Sequence, residues 1–169
     1  REITEQDGCH KVWLVGYSMG GNLTLKLAGE LGSSLSSLRG VVAVCPNIQP
    51  ATCVRALQRP SNWIYHQYFL KSLKAKLRKK SRLYPGQWNL ARLPSIRTMW
   101  EFDEVYTAPD GGYRDAADYY EKCAALNGLA SITIPTLIIT AQDDPFIPYD
   151  MFTEPSLHSN PWIHLMAPT

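Results

Sequence analysis

No apolar run in this 169-residue chain approaches the ~18 residues that a membrane-spanning helix needs. A signal or anchor ahead of Arg1 would lie outside the sequence, so this absence does not bear on one. Cysteine is sparse. Cys9, Cys45, Cys53 and Cys123 form no C-x-x-C pair, no zinc-spaced cluster with histidine and no dense disulfide framework. Reduced, mostly buried thiols in a cytoplasmic protein are therefore expected. Charge of one sign is not in excess either: the net charge of +2 is too mild for a nucleic-acid binder. No segment repeats and none is low in complexity. The length suits one domain, and 45% hydrophobic content is enough to fill a core.

What is present begins at Gly16-Tyr17-Ser18-Met19-Gly20-Gly21, a G-x-S-x-G pattern. Lys11–Val15 ahead of it reads as a short buried strand. Leu23, Leu27, Ala28 and Leu31 behind it share one helical face. That strand–turn–helix setting marks a nucleophile elbow, in which a sharp reversal strains the backbone of Ser18 and lifts its Oγ clear. Side chains two positions either way are expected to collide there, which assigns Gly16 and Gly20 as elbow glycines. The Met19 N–H, at the start of the helix, is the expected oxyanion donor.

Val41–Cys45, Thr136–Thr140 and Trp162–Met166 read as three further apolar strands. Helical patterns separate them, the layout of a parallel α/β sheet, and continuous apolar runs suit strands covered on both faces. About ninety residues separate the second strand from the third, far more than a crossover helix requires. This segment, about 47–134, is expected to form a helical lid over the carboxyl ends of the strands. One lid helix begins near Pro60-Ser61-Asn62, with Asn62 as a candidate cap, and carries Leu70, Leu73 and Leu77 on one face. Another runs from Asp115 to Leu126, with Asn127-Gly128 as its stop. Trp63, Tyr65, Tyr68, Phe69, Trp88 and Trp100 are assigned to the lid core, an acyl pocket being the alternative. Seven basic residues crowd Lys71–Arg82, which fits a solvated face, a peripheral contact with anionic lipid, or a site for a partner protein or anionic substrate.

A serine nucleophile needs a histidine base and a carboxylate to orient it, in the chain order Ser, acid, His for an elbow of this type. The loop after the third strand reads Ala141-Gln142-Asp143-Asp144-Pro145-Phe146-Ile147-Pro148. Asp143 and Asp144 both compete for the acid's place. Asp144, which heads an Asp-x-x-Ile-Pro pattern, is preferred. No histidine suits the base: His10 precedes the elbow strand, His66 lies in the lid, and His158 precedes the last strand. His164 lies within that strand. The base is expected beyond Thr169.

Together with Phe102-Asp103-Glu104, Thr107-Ala108-Pro109, Gly112-Tyr113, Asp118-Tyr119-Tyr120 and Ile134-Pro135-Thr136, these motifs resemble the YheT-like branch of the α/β-hydrolases. That branch includes bacterial esterases and membrane-anchored lipases. The resemblance covers essentially the whole chain. It implies an α/β-hydrolase fold, partial here, with a mostly parallel sheet, helices on both faces and a lid. It also implies a serine carboxylic-ester hydrolase acting on short- to medium-chain acyl or lipid-like esters. Ser18 would be the nucleophile and Asp144 the acid, with no metal or organic cofactor. An acyltransferase using the same triad and a non-catalytic binder of the same fold are the alternatives. In that family several strands precede the elbow, so residues 1–169 are expected to be the C-terminal portion of one domain. Arg1–Gly8 would then be a polar helical tail, and a Gly-Gly-His stretch would follow Thr169. Asp103 and Asp110 are read as fixing turns of the lid.

Overall fold

The strands Val12–Tyr17 (β1), Leu38–Val44 (β2), Thr136–Ile139 (β3) and Ile163–Met166 (β4) form one parallel sheet in the order β1-β2-β3-β4. The structure is a computed structural model that describes residues 8–32 and 34–168. The expected helical tail at residues 1–7 lies outside the described residues. The register carries rows straight across the sheet: Val15 pairs with Val42, Val42 with Leu137, and Leu137 with His164. β1 extends through Tyr17 and β2 starts at Leu38, both longer than the apolar runs suggest.

Two helices follow strands of this sheet, α1 (Met19–Leu31) after β1 and α2 (Pro50–Leu57) after β2. Leu25 and Ala28 of α1, which contacts β1 and β2, are buried, as are Val41 and Ala43 of β2 and Ile138 of β3. The same face is closed by a 3-10 segment, Ala125–Ser131, and by Leu157 from the short helix Pro155–Ser159. α1 and the 3-10 segment approach closely: a Cβ on Gly29 would sit 2.5 Å from the Gly128 oxygen. The opposite face carries Trp13, Val15, Tyr17, His164 and Met166, all exposed among the described residues. Cover on both faces, as the continuous apolar runs suggest, is thus present on one face within these residues. Trp13 lies over Gly40, its cross-strand partner, where a Cβ would strike the indole at 2.2 Å.

The described residues up to Pro50 and from Cys123 onward form one compact unit, and Ala51–Lys122 forms a second. The second unit has its own core of Leu70, Leu77, Leu93, Ile96, Phe102 and Tyr106. Its long helix α3 (Trp63–Leu83) is entered through a 3-10 turn at Pro60–Asn62. Asn62 holds its N-cap position without a side-chain capping bond. The buried Asn62 amide instead donates to the Ala56 carbonyl at 2.9 Å. Helix α4 (Met99–Phe102) opens on a capping box, with Thr98 accepting from the Glu101 N–H, and runs on into a π turn at Asp103–Thr107.

The last helix of this region, α5 (Ala116–Cys123), stops three residues short of the expected Leu126. Asn127-Gly128 is no stop signal, because both residues lie within the 3-10 segment. The break comes from Asn22 of α1. Its fully buried amide donates to the Cys123 carbonyl at 2.8 Å and accepts from the Ala125 N–H at 2.9 Å, so it satisfies both backbone groups that leave the helix.

Candidate active site

Ser18 stands where β1 gives way to α1, at φ 51° and ψ −115°. A non-glycine residue with positive φ is strained, and such strain persists only where the surroundings enforce it. Here the Ser18 N–H donates to the Val44 carbonyl at 2.9 Å, and its own carbonyl takes the first helical bond, from Asn22 N at 3.1 Å. Ser18 occupies the cap position, yet its side chain makes no capping bond and is exposed. The hydroxyl is therefore not spent on the helix. Met19, the first residue of α1, carries one of the N–H groups that a helix start leaves without an intrahelical partner.

The glycines around Ser18 divide differently from the expected pattern. A Cβ on Gly16 would lie 2.2 Å from the Gly20 oxygen and 2.4 Å from Thr24 Oγ1. Gly16 is required, and the Thr24 hydroxyl adds to the crowding by donating back to that same oxygen at 2.7 Å. Gly20 is different: a Cβ there meets nothing within 4 Å beyond its own helix, so the collision expected from the motif does not occur. The crowded second glycine is Gly21, whose Cβ would stand 3.0 Å from the Pro46 side chain at the end of β2.

Asp144 lies on the loop after β3, at the same carboxyl edge of the sheet as Ser18. Its Oδ1 accepts from the N–H groups of Phe146 at 3.0 Å and Ile147 at 2.9 Å. This Asx turn is what a purely structural aspartate would make, but it also fixes the carboxylate in one orientation. Oδ2 has no hydrogen-bond partner among the described residues. Asp143 is exposed and takes no part in the turn.

Two features of this edge escaped sequence reading. Asn47, just past β2, is only 9% exposed, and its Nδ2 stands 3.9 Å from the Met19 sulfur. Its Oδ1 and the hydroxyl of Thr140, at the end of β3, are buried side-chain atoms without a hydrogen-bond partner among the described residues. Such orphans are rare in folded proteins, and both lie at the carboxyl edge. Only an apolar run followed by Asn or Thr preceded them in the sequence, which is too common a pattern to single them out.

No histidine among the described residues joins Ser18 and Asp144. His158 precedes β4, at the opposite edge, with Nε2 3.0 Å from the Phe152 carbonyl oxygen. His164 shares its row with Val15, so it is three strands from β1, about 14 Å, and about 10 Å short of Ser18 along the strands. His66 is buried in α3, where its Nε2 accepts the Met99 N–H at 3.1 Å and burial lowers its pKa. His10 precedes β1.

Asp103 and Asp110 are both engaged by neighbouring side chains. Asp110 pairs with Lys80 at 2.9 Å and accepts from Trp88 Nε1 at 3.1 Å. Asp103 is buried and accepts from Thr107 and Tyr120; burial pushes its carboxyl up while these two hydrogen bonds oppose the shift. Glu104 accepts from the Ala116 N–H at the start of α5. These bonds supply a physical account of the Phe102-Asp103-Glu104 and Asp118-Tyr119-Tyr120 motifs.

The alpha/beta hydrolase family profile matches residues 1–165. The chain belongs to the alpha/beta hydrolase family. It is 40% identical over 143 residues to YheT of Escherichia coli strain K12, which carries the name of an esterase. That match covers 83% of this chain and 42% of YheT. Mouse phospholipase ABHD3 is 30% identical over 152 residues, covering 89% of this chain and 37% of its own length. The chain thus spans about two fifths of the length of the curated relatives it matches, and its affinity is with the YheT-like branch. A serine hydrolase of Cycloclasticus zankles has the same fold, with a TM-score of 0.53 at 18% identity over 98% of this chain and 58% of that one.

Proposed function

We propose that this chain carries the nucleophile and acid of a serine carboxylic-ester hydrolase whose substrate is a lipid or small-molecule acyl ester. The observation that carries the reading is Ser18: a strained backbone, a hydroxyl not used for capping, and a helix N-terminus directly behind it. Ser18 Oγ attacks the ester carbonyl as a histidine takes its proton, and the oxyanion forms at the Met19 N–H. Collapse of the tetrahedral intermediate breaks the bond to the alcohol, which leaves with the proton from that histidine. Water then repeats the sequence on the acyl-enzyme. Asp144 holds the histidine through Oδ2, its Oδ1 being occupied by the Phe146 and Ile147 amides.

In this reading the base comes from outside residues 1–169. The names of the relatives, an esterase and a phospholipase, support an ester substrate. Transfer of the acyl group to an alcohol would use the same groups, and product analysis with and without added alcohol separates the two outcomes. In the intact protein, Ser18→Ala is expected to lower p-nitrophenyl ester turnover by about 10⁶ with the fold retained. Near-normal turnover in that variant overturns the assignment.

A further inference from the structure

The long helix α3 is divided along its axis. His66, Leu70, Leu73 and Leu77 form its inward stripe. Its first two turns present Trp63 (61% exposed), Ile64 (73%), Tyr65, Tyr68 (70%) and Phe69 outward, and Tyr68 meets Phe69 edge to face at 5.7 Å. One exposed apolar residue is ordinary, but five within seven positions form a patch that needs an explanation. These aromatic residues were assigned to core by sequence; only Trp88 and Trp100, partly buried, fit that assignment.

The rest of α3 carries Lys71, Lys74, Lys76, Arg78, Lys79, Lys80 and Arg82, and no carboxylate occurs anywhere from Leu31 to Trp100. Two of the cations have partners: Lys80 in an exposed pair with Asp110, and Lys74 with the Ile96 carbonyl at 2.6 Å. Lys71, Lys76, Arg78, Lys79 and Arg82 have no acidic partner among the described residues. At 3.6 residues per turn, Ile64, Tyr68, Lys71, Lys79 and Arg82 follow one another along the outward face. An apolar surface therefore passes into an unpaired cationic one along a single line.

We propose that α3 docks this protein on the surface of a bilayer containing anionic phospholipid. The first turns would enter the boundary between headgroups and acyl chains, and the cations beyond them would lie among the headgroup phosphates. Aromatic and basic residues also bind single-stranded nucleic acid, but such sites interleave the two kinds so that each nucleotide meets both. Here they are segregated along the helix, which suits a surface whose apolar and anionic layers lie at different depths. The proposal does not depend on the catalytic reading.

The test is sedimentation of the intact protein with phosphatidylcholine vesicles, with and without phosphatidylglycerol. Binding is expected to need phosphatidylglycerol and to weaken as salt rises. Lys71→Gln, Lys79→Gln and Arg82→Gln combined should weaken it roughly a hundredfold. Ile64→Ser should weaken it about tenfold, whereas Ile64→Trp should retain it. Turnover of a water-soluble ester should be unchanged in these variants, which separates a docking failure from a failure of the Ser18 assignment. Equal binding by parent and variants, no binding to anionic vesicles, or displacement from vesicles by an oligonucleotide would each overturn the proposal.

Discussion

At the scale of single residues, the elbow motif specified the backbone of Ser18 better than the packing of its glycines. That Ser18 would be strained was legible from a G-x-S-x-G between an apolar run and a helical pattern, because few other sequences make so sharp a reversal. Which second glycine is crowded was not legible, since it depends on Pro46 arriving from β2. Gly16→Ala should therefore destabilise the protein by on the order of 1–3 kcal/mol and impair turnover, because the contacted Gly20 oxygen is backbone and cannot yield cheaply. Gly20→Ala should change stability far less. Urea unfolding of both variants checks this, and equal losses would contradict the steric account. Asp144→Asn should lower kcat by roughly 10⁴ and Asp143→Asn by much less, because only Asp144 is oriented by the loop amides. Steady-state kinetics on the two variants decides between the adjacent aspartates.

At the scale of elements, strands were easier to read than helix ends. The apolar runs gave the four strands of the described residues to within a few positions. The end of α5 was misread because its cause is distant in sequence: Asn22 satisfies Cys123 and Ala125 from about a hundred residues away. Asn62 likewise sits at the cap position, but its amide serves Ala56 rather than the helix. The α4–α5 region is tied by Tyr120, whose hydroxyl donates to Asp103 at 2.5 Å. Tyr120→Phe should cost about 1–3 kcal/mol, since it leaves a buried carboxylate short of a donor. Its pH dependence follows from the sign of the Asp103 shift. A carboxyl whose folded pKa lies above its unfolded value keeps its proton longer in the native state, so its contribution to stability falls as pH rises from the unfolded to the folded pKa. Loss of the Tyr120 donor raises the folded pKa further, so the variant's deficit should be larger near neutral pH than near pH 4. A deficit independent of pH would show that Asp103 is not the group responsible.

At the scale of the whole molecule, β1 lies at one end of the strand order among the described residues, with Trp13, Val15 and Tyr17 exposed on one face. Such an edge pairs readily with other chains. Residues 1–169 expressed alone should self-associate in sedimentation and show no Ser18-dependent ester turnover. A soluble, active monomer would require one of His10, His66, His158 or His164 to act as the base, against the geometry of all four. The central claim, that Ser18 is the nucleophile, is tested most directly by treating the intact protein with a fluorophosphonate and locating the adduct by peptide mass spectrometry. A serine activated by its base attacks phosphorus and expels fluoride, so the account predicts a single adduct, on the peptide containing Ser18, that is lost in Ser18→Ala. An adduct on another serine, or no adduct in folded protein, would contradict it.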